Sequence, residues 1–248
     1  MKPILLLLSV LFSLNTMAQD LEGAWKLTEE NGEMLTDKEV IRIYQDGYFS
    51  YGAREKGTNK FLEAAGGEIS SNPEIKTSYT ETYDFHTGNP DLIGTDKTYS
   101  LSLEGDTLTL LSADNTTQVW HRISDREDDL TGNWVITGRK RDGELSKMTP
   151  GARRTIKILG GGRFQWVAFN SQTKEFSGTG GGTYNAEDGK YTENIEFFSR
   201  DDSRVGASLG FDYEVQDGEW HHSGKSSKGD PIYEIWSPYQ EAYLKKLD

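Results

Sequence analysis

The chain is written twice, and that duplication constrains its fold more than any single motif does. Leu21-Glu22-Gly23-Ala24-Trp25 recurs as Leu130-Thr131-Gly132-Asn133-Trp134, and Asn31-Gly32-Glu33 recurs as Asp142-Gly143-Glu144. Ile41, Ile43, Phe49, Phe61 and Gly66-Gly67 match Ile156, Ile158, Phe164, Phe176 and Gly181-Gly182 at one constant offset. Tyr79-Thr80-Glu81 then matches Tyr191-Thr192-Glu193, and Trp120 matches Trp236. A repeat this long is a whole domain rather than one turn of a solenoid. The charged run Ser124-Asp125-Arg126-Glu127-Asp128-Asp129 separates the copies and reads as a linker. The expected organisation is one domain over 19–124 and a second over 129–248.

Within each copy the dominant period is two, the pattern of half-buried strands, and almost no stretch supports a helix. The exception is Tyr239 to Leu247, read as a closing helical turn. Turn signals at Asp46-Gly47, Glu104-Gly105-Asp106, Asp188-Gly189 and Asp217-Gly218 fall between alternating runs. They join about eight strands per copy by short hairpins. A meander with one apolar face per strand and no covering helices buries that face by closing on itself. The fold class expected is therefore all-β, two tandem antiparallel up-and-down barrels.

Each copy opens with Gly-x-Trp (Gly23 and Trp25; Gly132 and Trp134) and closes with a Trp on its last strand. In these features the chain resembles two lipocalin-like (calycin) domains. Gly181-Gly182-Thr183-Tyr184 followed by Tyr191-Thr192-Glu193 is similar to the middle strands of uncharacterised exported lipocalin-like proteins of Gram-negative bacteria. The resemblance implies that the first-strand Trp packs beneath a basic residue at the end of the last strand. Arg122 fits that part in copy one, whereas copy two has Pro238 there. The second lipocalin motif, Thr-Asp-Tyr, occurs in neither copy, and fold alone does not transmit function.

The N-terminus reads as a secretory signal peptide over residues 1–18: Met1-Lys2-Pro3, an apolar run from Ile4 to Leu14, and the small-residue site Thr16-Met17-Ala18. It predicts a periplasmic or secreted protein. The run is shorter than the ~20 residues a bilayer-spanning helix needs, so no membrane span is expected. The chain has no cysteine, which leaves no disulfide, no thiolate and no cysteine for lipid anchoring. Stability must come from apolar cores, for which 6 Trp, 12 Tyr and 10 Phe supply bulk. A net charge of −13 argues against nucleic acid or anionic lipid as partners, since both are bound through Lys and Arg.

Alternation sorts inside from outside. One face of the strand from Tyr79 carries Tyr79, Glu81, Tyr83 and Phe85; its counterpart carries Tyr191, Glu193, Ile195 and Phe197. A lone carboxylate among aromatics in a barrel is costly unless paired. Glu81 and Glu193 are thus either polar anchors for a ligand or members of structural pairs with a basic side chain or backbone amide. The glycine run Gly178 to Gly182 marks a barrel bend or a wall that leaves room for a ligand. Phe164, Trp166, Phe176 and Tyr184 would then line the cavity beside Tyr191, and the second copy is the better candidate for an open barrel.

Other chemistry finds little support. His221 and His222 point to opposite faces of a strand, and no acidic run has the spacing of a calcium loop, so no metal and no cofactor is expected. No Gly-x-Ser-x-Gly elbow is present, and only one inward acid can be placed per copy. The first expectation is a binding module for a small, partly apolar molecule. Competing with it are a solid-barrel interaction protein that contacts another exported protein or a glycan, through exposed aromatics such as Tyr239 and Tyr243, and an isomerase or hydrolase. The oligomeric state is left open.

Overall fold

A computed structural model describes residues 20–71, 75, 77–141, 143–226 and 229–244. Residues 1–18, read above as a signal peptide, lie outside these residues. Barrel 1 comprises β1 (Gly23–Glu30), β2 (Glu33–Met34), β3 (Lys38–Gln45), β4 (Tyr48–Glu55), β5 (Phe61–Ser70), β6 (Ser78–His86), β7 (Asp96–Glu104), β8 (Thr107–Ser112) and β9 (Thr117–Ser124). Barrel 2 repeats them as β10 (Gly132–Arg141), β11 (Glu144–Lys147), β12 (Arg153–Gly160), β13 (Arg163–Asn170), β14 (Glu175–Glu187), β15 (Lys190–Phe198), β16 (Ser208–Gln216), β17 (Glu219–Lys225) and β18 (Pro231–Pro238). A helical turn, α1 (Tyr239–Leu244), closes the described chain.

Every neighbouring pair is antiparallel, and pairing of β1 with β9 and of β10 with β18 closes each sheet. Eight strands form each barrel; β2 and β11 are short extra ribbons on the end of the first strand. The Asp-Gly hairpins have the chemistry their turns require. Asp46 and Gly47, like Asp188 and Gly189, both have positive φ (52° and 70°; 51° and 72°), the type I′ geometry whose twist matches that of paired strands. Short 3₁₀ turns, Pro90–Leu92 and Asp202–Arg204, cross from β6 to β7 and from β15 to β16.

Three apolar cores result. Trp25, Tyr44, Phe49 and Trp120 centre the core of barrel 1, and Trp134, Phe164, Tyr191, Trp220 and Trp236 that of barrel 2. The third is shared between the barrels: Ile43, Tyr48, Ala64 and Phe85 of one pack against Ile156, Ile158, Val167 and Phe169 of the other, with Tyr239. The expectation of one apolar face per strand is corrected here, because the seam strands bury both faces. Equivalent strands meet, β3 and β4 against β12 and β13, as in an isologous contact between subunits. The approach is close: a Cβ on Gly52 would lie 2.4 Å from the Phe197 ring. Polar bonds finish the seam, with Arg154 paired to Asp84 at 2.6 Å and Asp46 accepting from the Asn133 amide at 2.8 Å.

The seam also corrects the placement of several residues. In β6 the register slips between Tyr83 and Phe85, and in β15 between Ile195 and Phe197. The extra residues, Asp84 and Glu196, turn Phe85 and Phe197 outward into the seam and bring His86 and Phe198 inward. A second slip, between β13 and β14, places Phe176 against the seam rather than inside barrel 2. Tyr239 is 5% exposed and its hydroxyl lies 3.2 and 3.3 Å from the Glu68 and Asp84 carboxylates, so it is no surface aromatic. The Tyr243 side chain lies outside the described residues.

Candidate functional site

The two inward carboxylates occupy equivalent places, and each meets an inward cation from the second barrel strand of its copy. Glu81 is fully buried and bonds Arg42 at 2.9 Å; Glu193 bonds Lys157 at 2.6 Å. Arg42 and Lys157 were missed by sequence reasoning. Lys-Glu-Val-Ile-Arg-Ile-Tyr-Gln and Arg-Arg-Thr-Ile-Lys-Ile-Leu-Gly carry apolar residues on both faces, so alternation did not show which way the cation points. Both cations sit among aromatic rings: Arg42 lies 4.6 Å from the Trp120 centroid, and Lys157 lies 5.2 Å from those of Trp220 and Trp236.

Around this shared element the interiors diverge. In barrel 1 a hydroxyl network saturates the acid. Tyr79 donates to Glu81 Oε1 at 2.9 Å and Tyr83 to Oε2 at 3.1 Å, while the Tyr44 and Tyr99 hydroxyls join them at 2.8 and 3.3 Å. Burial beside this carboxylate pushes the Tyr79 and Tyr83 phenols well above their ordinary range, and Tyr44 is pushed up to about 12, mainly by burial. Tyr79, Glu81 and Tyr83 therefore bind one another instead of facing open space.

Barrel 2 holds a cavity of about 440 Å³ open to solvent at one end. Its deep end carries Lys157, Glu193, His222, Glu234 and Trp236; Trp166, Ile195, Phe198, Leu209, Phe211 and Ile232 form the apolar walls; Arg200, Arg204 and Ser226 stand toward the mouth. Of the sequence-predicted residues, Glu193 and Trp166 line it. Tyr191 lies behind the lining and donates to Glu193 at 2.9 Å. Phe164 and Tyr184 pack in the closed end of the barrel, and Phe176 is at the seam.

The glycine run explains how the wall is built. Gly178, Gly180 and Gly182 pair with the inward residues Ala168, Trp166 and Phe164. A Cβ on Gly180 would lie 2.8 Å from the Trp166 indole nitrogen and 2.9 Å from Phe198. The bare strand thus lets both rings approach it closely, and they contact edge to face at 5.6 Å.

The polar wall is unevenly satisfied. Arg139 bonds Glu234 at 2.8 Å. Burial alone would raise the Glu234 carboxyl, yet the neighbouring cations Arg139 and Lys157 outweigh it and hold the group below its ordinary range. His222, 2% exposed, has no hydrogen-bond partner on either ring nitrogen; Glu234 is 3.6 Å from Nδ1, too far for one. Burial lowers its pKa below the usual 6.5, which keeps the imidazole neutral near pH 7. The Trp236 indole N–H is likewise buried without a partner.

Among the described residues no group of His, Asp and Glu is arranged to hold a metal ion, and no helix is long and apolar enough to cross a membrane. Arg122 lies 4.1 Å above the Trp25 ring, the stacking that the lipocalin resemblance implied, while Trp134 pairs with Pro238. Compared with known protein families and with curated proteins, the chain matches none.

Proposed function

We propose that the protein is an exported, lipocalin-like binding protein whose second barrel takes up a small, partly apolar molecule. The observation that carries this is the asymmetry of the copies. On one scaffold, barrel 1 closes its interior with a tyrosine network around Glu81, while barrel 2 keeps a cavity of about 440 Å³. That volume is in the range of small-molecule sites, and an apolar wall with a few convergent polar groups is their usual lining. The first copy and the shared seam act in this scheme as a rigid mount.

Native mass spectrometry of the protein purified from a bacterial periplasm, followed by solvent extraction, tests the proposal. A reproducible adduct lost on denaturation is expected. A protein that leaves the periplasm ligand-free, and takes up nothing from a lipid and metabolite extract, overturns it in favour of two packed barrels serving as an interaction module.

A further inference from the structure

We infer that the ligand of barrel 2 is an amphipathic organic anion, an apolar body carrying a carboxylate, sulfonate or similar oxyanion. This rests on the binding function proposed above and adds its chemical class. Two independent inventories of the cavity wall point the same way.

The first is charge. The chain as a whole carries −13, yet the cavity is lined by four cations, Arg139, Lys157, Arg200 and Arg204, and two carboxylates, Glu193 and Glu234. Both carboxylates are already matched, to Lys157 and to Arg139. Arg200 spends its Nε and Nη2 on the neutral Ser177 carbonyl. Arg204 lies 3.4 Å from Asp201, a half-exposed acid outside the lining. A wall of net positive sign in an acidic protein concentrates anions at one place.

The second is hydrogen bonding. Lys157 and Arg139 each have N–H donors beyond the one spent on a carboxylate. Surplus donors call for an acceptor-rich group, and charge-assisted bonds from guanidinium to oxyanion are the strongest available. Trp166, Phe198, Leu209 and Ile232 supply the apolar surface for the rest of the molecule.

Barrel 1 is a control within the same chain. Strand register places Arg139 opposite Glu234 in barrel 2 and Glu30 opposite Gln118 in barrel 1, so the cation is replaced by an acid. At the equivalent 3₁₀ turn, Arg204 stands where barrel 1 has Leu92, which packs on the core. The cationic character belongs to the hollow copy alone.

Two fluorescent probes that differ by one sulfonate test the inference on the full protein: anilinonaphthalene sulfonate and neutral N-phenyl-1-naphthylamine. The anionic probe is expected to bind roughly tenfold more tightly at low salt, with the advantage shrinking as salt screens the rim. Arg200→Gln with Arg204→Gln should erase most of that advantage and leave the neutral probe unchanged. Ala168→Trp, which fills the cavity, should abolish both signals; Leu209→Trp is the substitute if that variant misfolds. Equal affinity for the two probes, or tighter binding of the neutral one, overturns the anion inference while leaving a binding barrel intact. No binding of either probe, or binding indifferent to both filling variants, overturns the binding barrel as well.

Discussion

Two copies of one barrel, joined face to face, solve the same interior problem in opposite ways. Each has a buried acid bonded to a ring-surrounded cation, Arg42 with Glu81 and Lys157 with Glu193. Tyr83 and Tyr99 then fill barrel 1, where barrel 2 has Ile195 and Phe211, and Leu92 packs where barrel 2 has Arg204. Removing a hydroxyphenyl group and a leucine plug from one copy opens its interior. A cavity thus comes from a few side chains on an unchanged scaffold, so the comparison can be broken one residue at a time.

The largest effect is expected at the shared pair. Glu81→Gln leaves Arg42 charged in a sealed interior, and loss of one partner of a buried ion pair costs about 3–5 kcal/mol. Glu193→Gln should cost clearly less, because water in the cavity can reach Lys157. Urea denaturation of both variants checks this; equal losses would mean that the second interior is as dry as the first.

Next in size is the plug itself. Tyr83→Ile gives barrel 1 the side chain of barrel 2 and removes a bond to Glu81, for an expected loss of about 2 kcal/mol. The converse double change, Ile195→Tyr with Arg204→Leu, should keep the melting temperature or raise it while removing ligand uptake. If uptake survives, the cavity is not where binding occurs.

Acid should also separate the copies. The imidazole of His222, which occupies the position that Leu110 holds in barrel 1, is pushed below 6.5 by burial, so the unfolded chain takes up its proton first. Stability must fall as pH drops below about 6.5, and half-buried His86, shifted the same way by burial, adds to the slope. Glu234 acts lower: held below an ordinary 4.5, its contribution is complete above 4.5 and is lost as pH falls below it. His222→Leu should flatten the slope just below pH 6.5, leaving the part from His86, and add about 1 kcal/mol at neutral pH by removing two partnerless nitrogens. An unchanged profile would mean that His222 is bonded in solution.

Duplication, barrel closure and the inward direction of Glu81 and Glu193 were legible in the sequence because each depends on local rules, repeat spacing, turn chemistry and alternation. What stayed hidden depends on the other barrel. The seam buries the outer faces of β3, β12 and β13, so Arg42 and Lys157 read as one polar residue in an apolar run rather than as core cations. Bulges at Asp84 and Glu196 invert the faces beyond them, and no residue type marks them in advance. That is why Phe198, not Phe197, lines the cavity; a separate slip between β13 and β14 turns Phe176 to the seam. His222, Glu234 and Arg139 come together only across strand register, which the sequence left free.

The smallest expected effect lies at the closed end, where the copies also differ. Arg122 stacks on Trp25 and bonds the carbonyls of Glu22 and Asp20 at 2.6 and 2.8 Å, tying the start of barrel 1 to its last strand. Barrel 2 has Pro238 opposite Trp134 and continues instead into α1, whose Tyr239 is fixed at the seam. Arg122→Gln removes the cation from the ring and should cost about 0.5–2 kcal/mol. The loss should fall on barrel 1, measured as faster amide exchange in β1 and β9 with no change in β10 and β18. If exchange quickens in both pairs, the seam couples the barrels into one cooperative unit, and the solid copy then sets the rigidity of the hollow one.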